Sequence, residues 1–270
     1  MKTLKMFASK WVAWLIALLF LSVSISLSAE AAPDETIVLQ QKCKALGGAY
    51  VVYLSKHSLR IENPSLILIS QAPKWKITVL NPKKKNYFQG DYRTCLKQME
   101  TTRTPFSPTA GAILKWRKAQ GETIAGLSAE QWYDDSPDKN HGRRSVRYWT
   151  LIDSQLPPQC AEIIATCYGL PAIGRGAPLQ FLYKGSANSL LPMMTRQFDS
   201  EGAREQEIHW LETASMKKVQ ATPSLFVIPK GFKPTNNFAE AAVDTDSHNK
   251  DTEFILKDLR RHPETFFQSR

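Results

Sequence analysis

Past Leu27 the chain has no run approaching the ~18 consecutive apolar residues that a membrane-spanning helix needs, so no later segment is expected to cross a bilayer. Histidine is scarce. The five present, at positions 57, 141, 209, 248 and 262, show neither H-E-x-x-H nor any paired spacing that would hold zinc. No C-x-x-C occurs, which argues against a redox or catalytic thiol pair. Gly126-Leu127-Ser128-Ala129 lacks the second glycine of a nucleophile elbow, and Gly174-Arg175-Gly176 lacks the third glycine of a dinucleotide loop. Zinc-finger spacing, an RNP aromatic signature and a basic heptad helix are all missing, so nucleic acid is not an expected partner. No repeat of fixed period is present, and one extended sheet is preferred over two domains. These absences leave no nameable nucleophile-base pair, no cofactor site and no metal site, and a non-enzymatic protein is expected.

Acidic residues are outnumbered, 25 against 35 lysines and arginines, for a net charge of +10. Lys2, Lys5 and Lys10 precede an unbroken apolar run from Trp11 to Leu27, and the small-residue site Ala29-Glu30-Ala31 follows. That order reads as a secretory signal peptide cleaved near Ala31, with an uncleaved anchor as the rival reading. Cleavage would lower the net charge to +8. Basic proteins outside the cytosol meet anionic lipid headgroups, acidic polysaccharide or cell-wall polymer, although the charge can also serve solubility alone.

Four cysteines, Cys43, Cys95, Cys160 and Cys167, fit two disulfides in an exported chain, with three connectivities open. PPQCAEIIATCYGLP (157–171) is punctuated as a short helix by its leading prolines and by Gly169 and Pro171. Cys160 and Cys167 in one continuous helix would lie about 10.5 Å apart, beyond the ~7 Å reach of a bridge. Cys43 to Cys95 is the first choice.

The segment KWKITVLNPKKKNYFQ (74–89) carries the clearest local pattern. Trp75, Ile77 and Val79 alternate with Lys74, Lys76 and Thr78, and Asn81-Pro82 breaks the ladder before a second strand. Further strands are predicted at 49–55, 58–62, 66–70, 75–80, 86–89, 123–133, 145–153, 178–184, 207–213 and 216–221. A short helix is predicted over 34–46, stopped by Gly47-Gly48. TTRTPFSP (101–108) reads as a loop, FDSEGARE around Gly202 as a hairpin turn, and DDSPDKNHGRR (134–144) as a solvated loop. Residues 235–251 read as a loose polar stretch, with one or two helical turns at 254–261. About ten strands in one sheet must twist and curl, giving a concave apolar face that helices cover.

Four elements in order then carry a family resemblance. They are KWKITVLNPKKKNYF (74–88), ETIAGLSAEQWY (122–133), VRYWTLIDSQLP (146–157) and MKKVQATPSLFVIPKGFKP (216–234). Over residues 36–234 the chain resembles the LolA/LolB-like half-barrel superfamily, and within it an uncharacterised secreted branch. It departs where relatives carry a cysteine after the I-x-G strand, since Leu127-Ser128 stand there. The resemblance implies a mainly β (α+β) fold: a large curved antiparallel half-barrel sheet, with the N-terminal helix and a helix near 158–168 over its concave face. The implied organisation is a signal peptide (1–31), a half-barrel domain (32–235) and a polar tail with a short helix (236–270).

Carriers of that fold accept acyl chains, so a lipid or a lipoprotein acyl chain is the implied cargo. Trp75, Tyr148, Phe181 and Trp210 are the candidate lining residues, unless the same aromatics fill a solid core. Arg143, Arg144 and Arg147 are candidate anion contacts, and the lysine turn is expected to face an anionic membrane surface. The alternative is an envelope interaction module with a filled core that binds a protein or a cell-wall polymer.

Overall fold

The computed structural model describes residues 35–43, 48–103, 114–135, 145–153, 156–186, 205–220 and 222–242. The expected signal peptide, the loops at 104–108 and 136–144, the turn at Gly202 and the turns at 254–261 lie outside these residues. The described chain is mostly strand, arranged as one large, open, curved sheet with few helices.

The first strand, β1 (Glu35–Cys43), corrects the helix predicted over 34–46. Its run Thr36-Ile37-Val38-Leu39 is buried on both faces, and β2 (Gly48–Leu54) and β12 (Glu205–Gln220) hydrogen-bond its two edges. β-Branched residues with a ladder on each side favour the extended form over a helical spacing that was also present.

An antiparallel meander follows through β2, β3 (Ser58–Asn63), β4 (Leu66–Gln71), β5 (Lys76–Asn81) and β6 (Asn86–Gly90). Two of its turns use one device. The Asn63 side-chain oxygen accepts from the N–H groups of Ser65 and Leu66 at 2.9 and 2.7 Å. Asn81 does the same for Lys83 and Lys84 at 3.1 and 3.0 Å. In each case the following proline presets the turn, and the asparagine supplies the acceptor.

The second half of the sheet is built from β7 (Arg117–Lys118), β8 (Glu122–Ile124), β9 (Leu127–Asp134), β10 (Ser145–Leu151), β11 (Pro178–Ser186) and β12. The single strand predicted at 123–133 is a hairpin, β8 to β9. Ala125 and Gly126 both take positive φ, 50° and 83°, as a type I′ turn requires. The two strands predicted at 207–213 and 216–221 are one. Gln41 opposes Thr213 while Gln40 opposes Ser215, so Ala214 is a bulge that keeps the ladder intact. In sheet order the strands run β13, β6, β5, β4, β3, β2, β1, β12, β11, β10, β9, β7, with β8 also on β9. β13 (Lys233–Pro234) is the one parallel addition among them.

Two helices pack on the inner face. Helix α1 (Tyr92–Arg103) was not predicted, and its last turn lies where a loop was expected. Asp91 caps it by accepting from the Thr94 N–H at 3.0 Å, and Cys95, Leu96 and Met99 form its buried stripe. Helix α2 (Pro158–Cys167) lies where it was predicted. It begins with proline at N1 and ends in a Schellman motif, with Leu170 N–H bonded to Ala165 O at 2.8 Å and Gly169 at φ 66°. Cys160, Ile163, Ile164 and Cys167 form its buried face.

The C-terminal described segment hooks around the sheet. A 3₁₀ turn (Pro223–Phe226) and the residues up to Phe232 lie on the outer face, where Ile69, Leu80 and Phe226 form a second apolar cluster. Arg60 donates to Leu225 O at 2.8 Å beneath it. β13 then joins the β6 edge through Lys233 N–H to Lys85 O at 2.9 Å. Helix α3 (Phe238–Ala242) returns to the inner side, where Phe238 meets Phe88 edge-on at 5.6 Å. This short helix replaces part of the loose stretch expected at 235–251.

Candidate functional site

The inner side of the sheet, beneath α1 and α2, is the candidate site. Tyr148 on β10 and Phe181 on β11 are register partners whose rings meet at 5.4 Å. Trp116 adds a third ring 6.0 Å from Tyr148. Trp210 on β12 donates its indole N–H to Tyr168 O at 3.4 Å, at the end of α2, and Tyr168 packs edge-on to Tyr50 at 5.7 Å.

Trp75 is placed differently from its expected strand position. It sits in the β4–β5 turn with φ 50°, its N–H bonded to Gln71 O at 2.8 Å. β3, β2, β1, β12 and β11 separate its hairpin from Tyr148 in the sheet order. The four candidate aromatics are nonetheless all in the core, with 7 %, 1 %, 0 % and 1 % exposure for Trp75, Tyr148, Phe181 and Trp210.

A cavity of about 150 Å³ borders this interior, lined by Tyr148, Pro158, Ala161, Glu162, Ile173 and neighbouring glycines. Pockets that hold drug-sized ligands span roughly 300–1,000 Å³, so this space is too small to seat a whole acyl chain. Its wall depends on a close backbone approach. A Cβ on Gly176 would stand 1.8 Å from Leu151 O, while Leu151 N–H bonds Ala177 O at 2.9 Å. Gly176 therefore serves close packing against β10, while Gly174 takes a positive φ of 68° beside the Trp132 ring of β9.

Glu162 ties the two covering helices together. Tyr92 of α1 donates its hydroxyl to Glu162, and Arg93 approaches the same carboxylate at 3.3 Å. Burial and the Glu162 carboxylate both push the Tyr92 hydroxyl well above its ordinary range. Sequence reasoning missed Glu162, although a lone carboxylate within an otherwise apolar helical stretch was a visible signal.

Behind this cover lies a buried polar knot. Gln41 donates to Pro178 O at 2.8 Å and to Thr213 Oγ1 at 3.0 Å, and Thr213 donates to Leu179 O at 2.6 Å. These partners are on β1, β11 and β12, so the knot pins these strands where the bulge loosens the ladder.

The expected disulfides do not form. Cys43, Cys95, Cys160 and Cys167 are buried thiols of the inner core. One lies at the end of β1, one on α1 and two on α2 seven residues apart, and all four pack into the core. Burial pushes the Cys95 thiol up to about 11 and Cys160 up to about 12, which makes both poor nucleophiles.

Of the candidate anion contacts, Arg143 and Arg144 lie outside the described residues. Arg147 is engaged by Asp135 at 2.6 Å and lies 5.2 Å over the Tyr133 ring. Its hydrogen bonds hold the Asp135 carboxyl below the ordinary carboxylate range. Among the described residues no group of three or more His, Cys, Asp or Glu is placed to hold a metal, and no helix is long and apolar enough to cross a membrane.

No family model matches the chain, and no curated protein matches it in sequence. Solved structures it resembles include an uncharacterised conserved protein from Thermus thermophilus, at TM-score 0.35 and 7 % identity over 75 % of this chain and 90 % of that one. Another is the lipoprotein LppX of Mycobacterium tuberculosis, at 0.25 and 11 % over 58 % and 81 %. A third is a domain named for outer membrane lipoprotein sorting, from Vibrio parahaemolyticus, at 0.25 and 9 % over 73 % and 90 %. These likenesses are distant.

Proposed function

We propose that this is an exported, non-catalytic protein that takes up an acyl chain, free or on a lipidated partner, between the inner face of its sheet and the α1–α2 cover. The observation that carries the reading is the cavity beside Tyr148, bounded by α2 and by Glu162, the residue that fastens α2 to α1. Admission of a chain requires the cover to lift. A C16 chain brings on the order of 10 kcal/mol of methylene burial. What must yield is the Tyr92–Glu162 hydrogen bond, worth about 1.5–3 kcal/mol, and an ion pair that is largely exposed on the Arg93 side and worth about 0–1 kcal/mol.

The test is native mass spectrometry of detergent-free protein, combined with titration of a fluorescent C16 fatty acid. A co-purifying adduct or saturable one-to-one uptake is the expected result. Protein that carries no lipid and takes up no probe sinks the reading.

The burial of all four aromatics favours a second reading, an envelope interaction module with a solid core. In that case the probe stays free, and capture experiments with cell-wall polymer or protein partners become the informative ones.

A further inference from the structure

The β5–β6 turn and the C-terminal hook are far apart in sequence but adjacent in space. Lys85 lies 5.1 Å over the Phe232 ring, and Lys233 N–H bonds Lys85 O at 2.9 Å. Segments 81–87 and 227–234 together carry Lys83, Lys84, Lys85, Lys230 and Lys233, and neither contains a carboxylate. Four of these side chains are exposed, and Lys84 is half-buried. On the same outer face, three residues before Lys230 and toward the β4–β5 turn, Val227 is 51 % exposed, an unusual position for a large aliphatic side chain here. It borders a groove of about 470 Å³ that Lys74 and Lys76 also line.

Cations around a protruding aliphatic residue match an interface with phosphates outside and hydrocarbon within. A polysaccharide surface offers no such layering. Clusters of four to eight lysines recognise anionic lipid in this way, each adding to the attraction within a Debye length. We propose that this lysine edge docks the protein onto an anionic lipid bilayer, with Val227 reaching the headgroup–acyl boundary. The proposal is independent of the cargo reading, because docking is measured with no cargo present.

The test is co-sedimentation of the purified protein with phosphatidylcholine vesicles, with and without about one third phosphatidylglycerol. Binding is expected only to the anionic vesicles and should fall steeply between low and high salt. Replacing Lys83, Lys84 and Lys85 together with Gln should weaken it by about a hundredfold. A charge-matched control, Lys42, Lys184 and Lys217 to Gln, should leave most of the binding in place. Near-UV circular dichroism of both variants confirms that each is folded.

Equal binding to neutral vesicles, no binding to either, or equal loss in the control overturns the proposal. So does tighter binding to a soluble polyanionic polysaccharide than to the anionic vesicles. Val227→Asp separates insertion from pure charge attraction, and it should weaken vesicle binding well beyond the effect of its single added charge.

Discussion

Tyr168 closes helix α2 and donates its hydroxyl to Gln41 Oε1 at 2.8 Å, joining the cover of the sheet to its central strand. Both residues are buried, so each atom of this bond depends on the other for a partner.

Gln41→Leu should therefore be costly. It leaves the Tyr168 hydroxyl and the Pro178 carbonyl without their donor or acceptor, and a loss of about 2–4 kcal/mol is expected from the unmet groups. Tyr168→Phe removes the donor, while Gln41 keeps its bonds to Pro178 and Thr213, so a smaller loss of about 1 kcal/mol follows. Urea unfolding measures both, and equal effects would show that the knot does not act as described.

The thiols give a second prediction. Native protein at pH 8 should not react with a colorimetric thiol reagent, whereas guanidinium-unfolded protein should titrate four thiols. A count of zero in denaturant would mean that disulfides form after all. The folded-state values of Cys95 and Cys160 are raised above 9.0, so the unfolded chain sheds these protons first. Their contribution to stability is complete below pH 9 and declines as pH climbs toward 11 and 12. Thermal scans should thus show alkaline destabilisation that begins near pH 9 and shrinks in Cys160→Ala.

Acid acts through Asp135. Its carboxyl is depressed by Arg147, so the stability it contributes is present above the ordinary carboxylate value and is lost as pH falls through the lower folded-state value. Asp135→Asn should flatten the melting temperature below about pH 4 relative to the parent chain. An unchanged acid limb would show that the pair is energetically silent.

Glycines separate space from backbone freedom. Gly176→Ala drives a Cβ onto the Leu151 carbonyl and should cost 3 kcal/mol or more, or prevent folding. Gly126→Ala meets nothing within 4 Å, and only its φ of 83° resists, so about 1 kcal/mol is expected. Comparable losses would contradict the packing described at Gly176.

For the carrier reading, Ile173→Trp fills the cavity beside Tyr148 from a half-buried position. It should reduce fluorescent fatty-acid uptake at least tenfold while the melting temperature moves only a few degrees. Trp75→Glu, by contrast, places a charge in a core turn and should unfold the protein rather than merely block uptake. Normal uptake by Ile173→Trp would move the entry elsewhere.

Much of the sheet was legible because its signals are local. Asn63-Pro64 and Asn81-Pro82 each write a complete turn into consecutive residues, and Pro157-Pro158 with Gly169 bracket α2. The misreadings lie where distant partners decide. β1 carries apolar residues compatible with either period, and only β2 and β12 make it extended. Ala125-Gly126 folds a hairpin within a stretch that reads as one strand, since positive φ at an alanine has no strong sequence mark. Helix α1 was overlooked because its apolar stripe is narrow and flanked by polar residues, although Asp91 announced its start. At the site, side-chain type identified the aromatics as buried but could not say that two helices press down on them. Nor could it bring Lys230 and Lys233 to the β5–β6 turn.

The hook formed by residues 222–242 touches the outer face, the β6 edge and the inner face in turn. Until the ribosome has finished that segment, β4 and β5 expose Ile69 and Leu80, and the β6 edge lacks β13. Strands that emerge earlier are thus completed by residues that emerge well after them. Such a sheet stays unfinished during synthesis until the hook has been made, and its assembly waits for contacts distant in sequence.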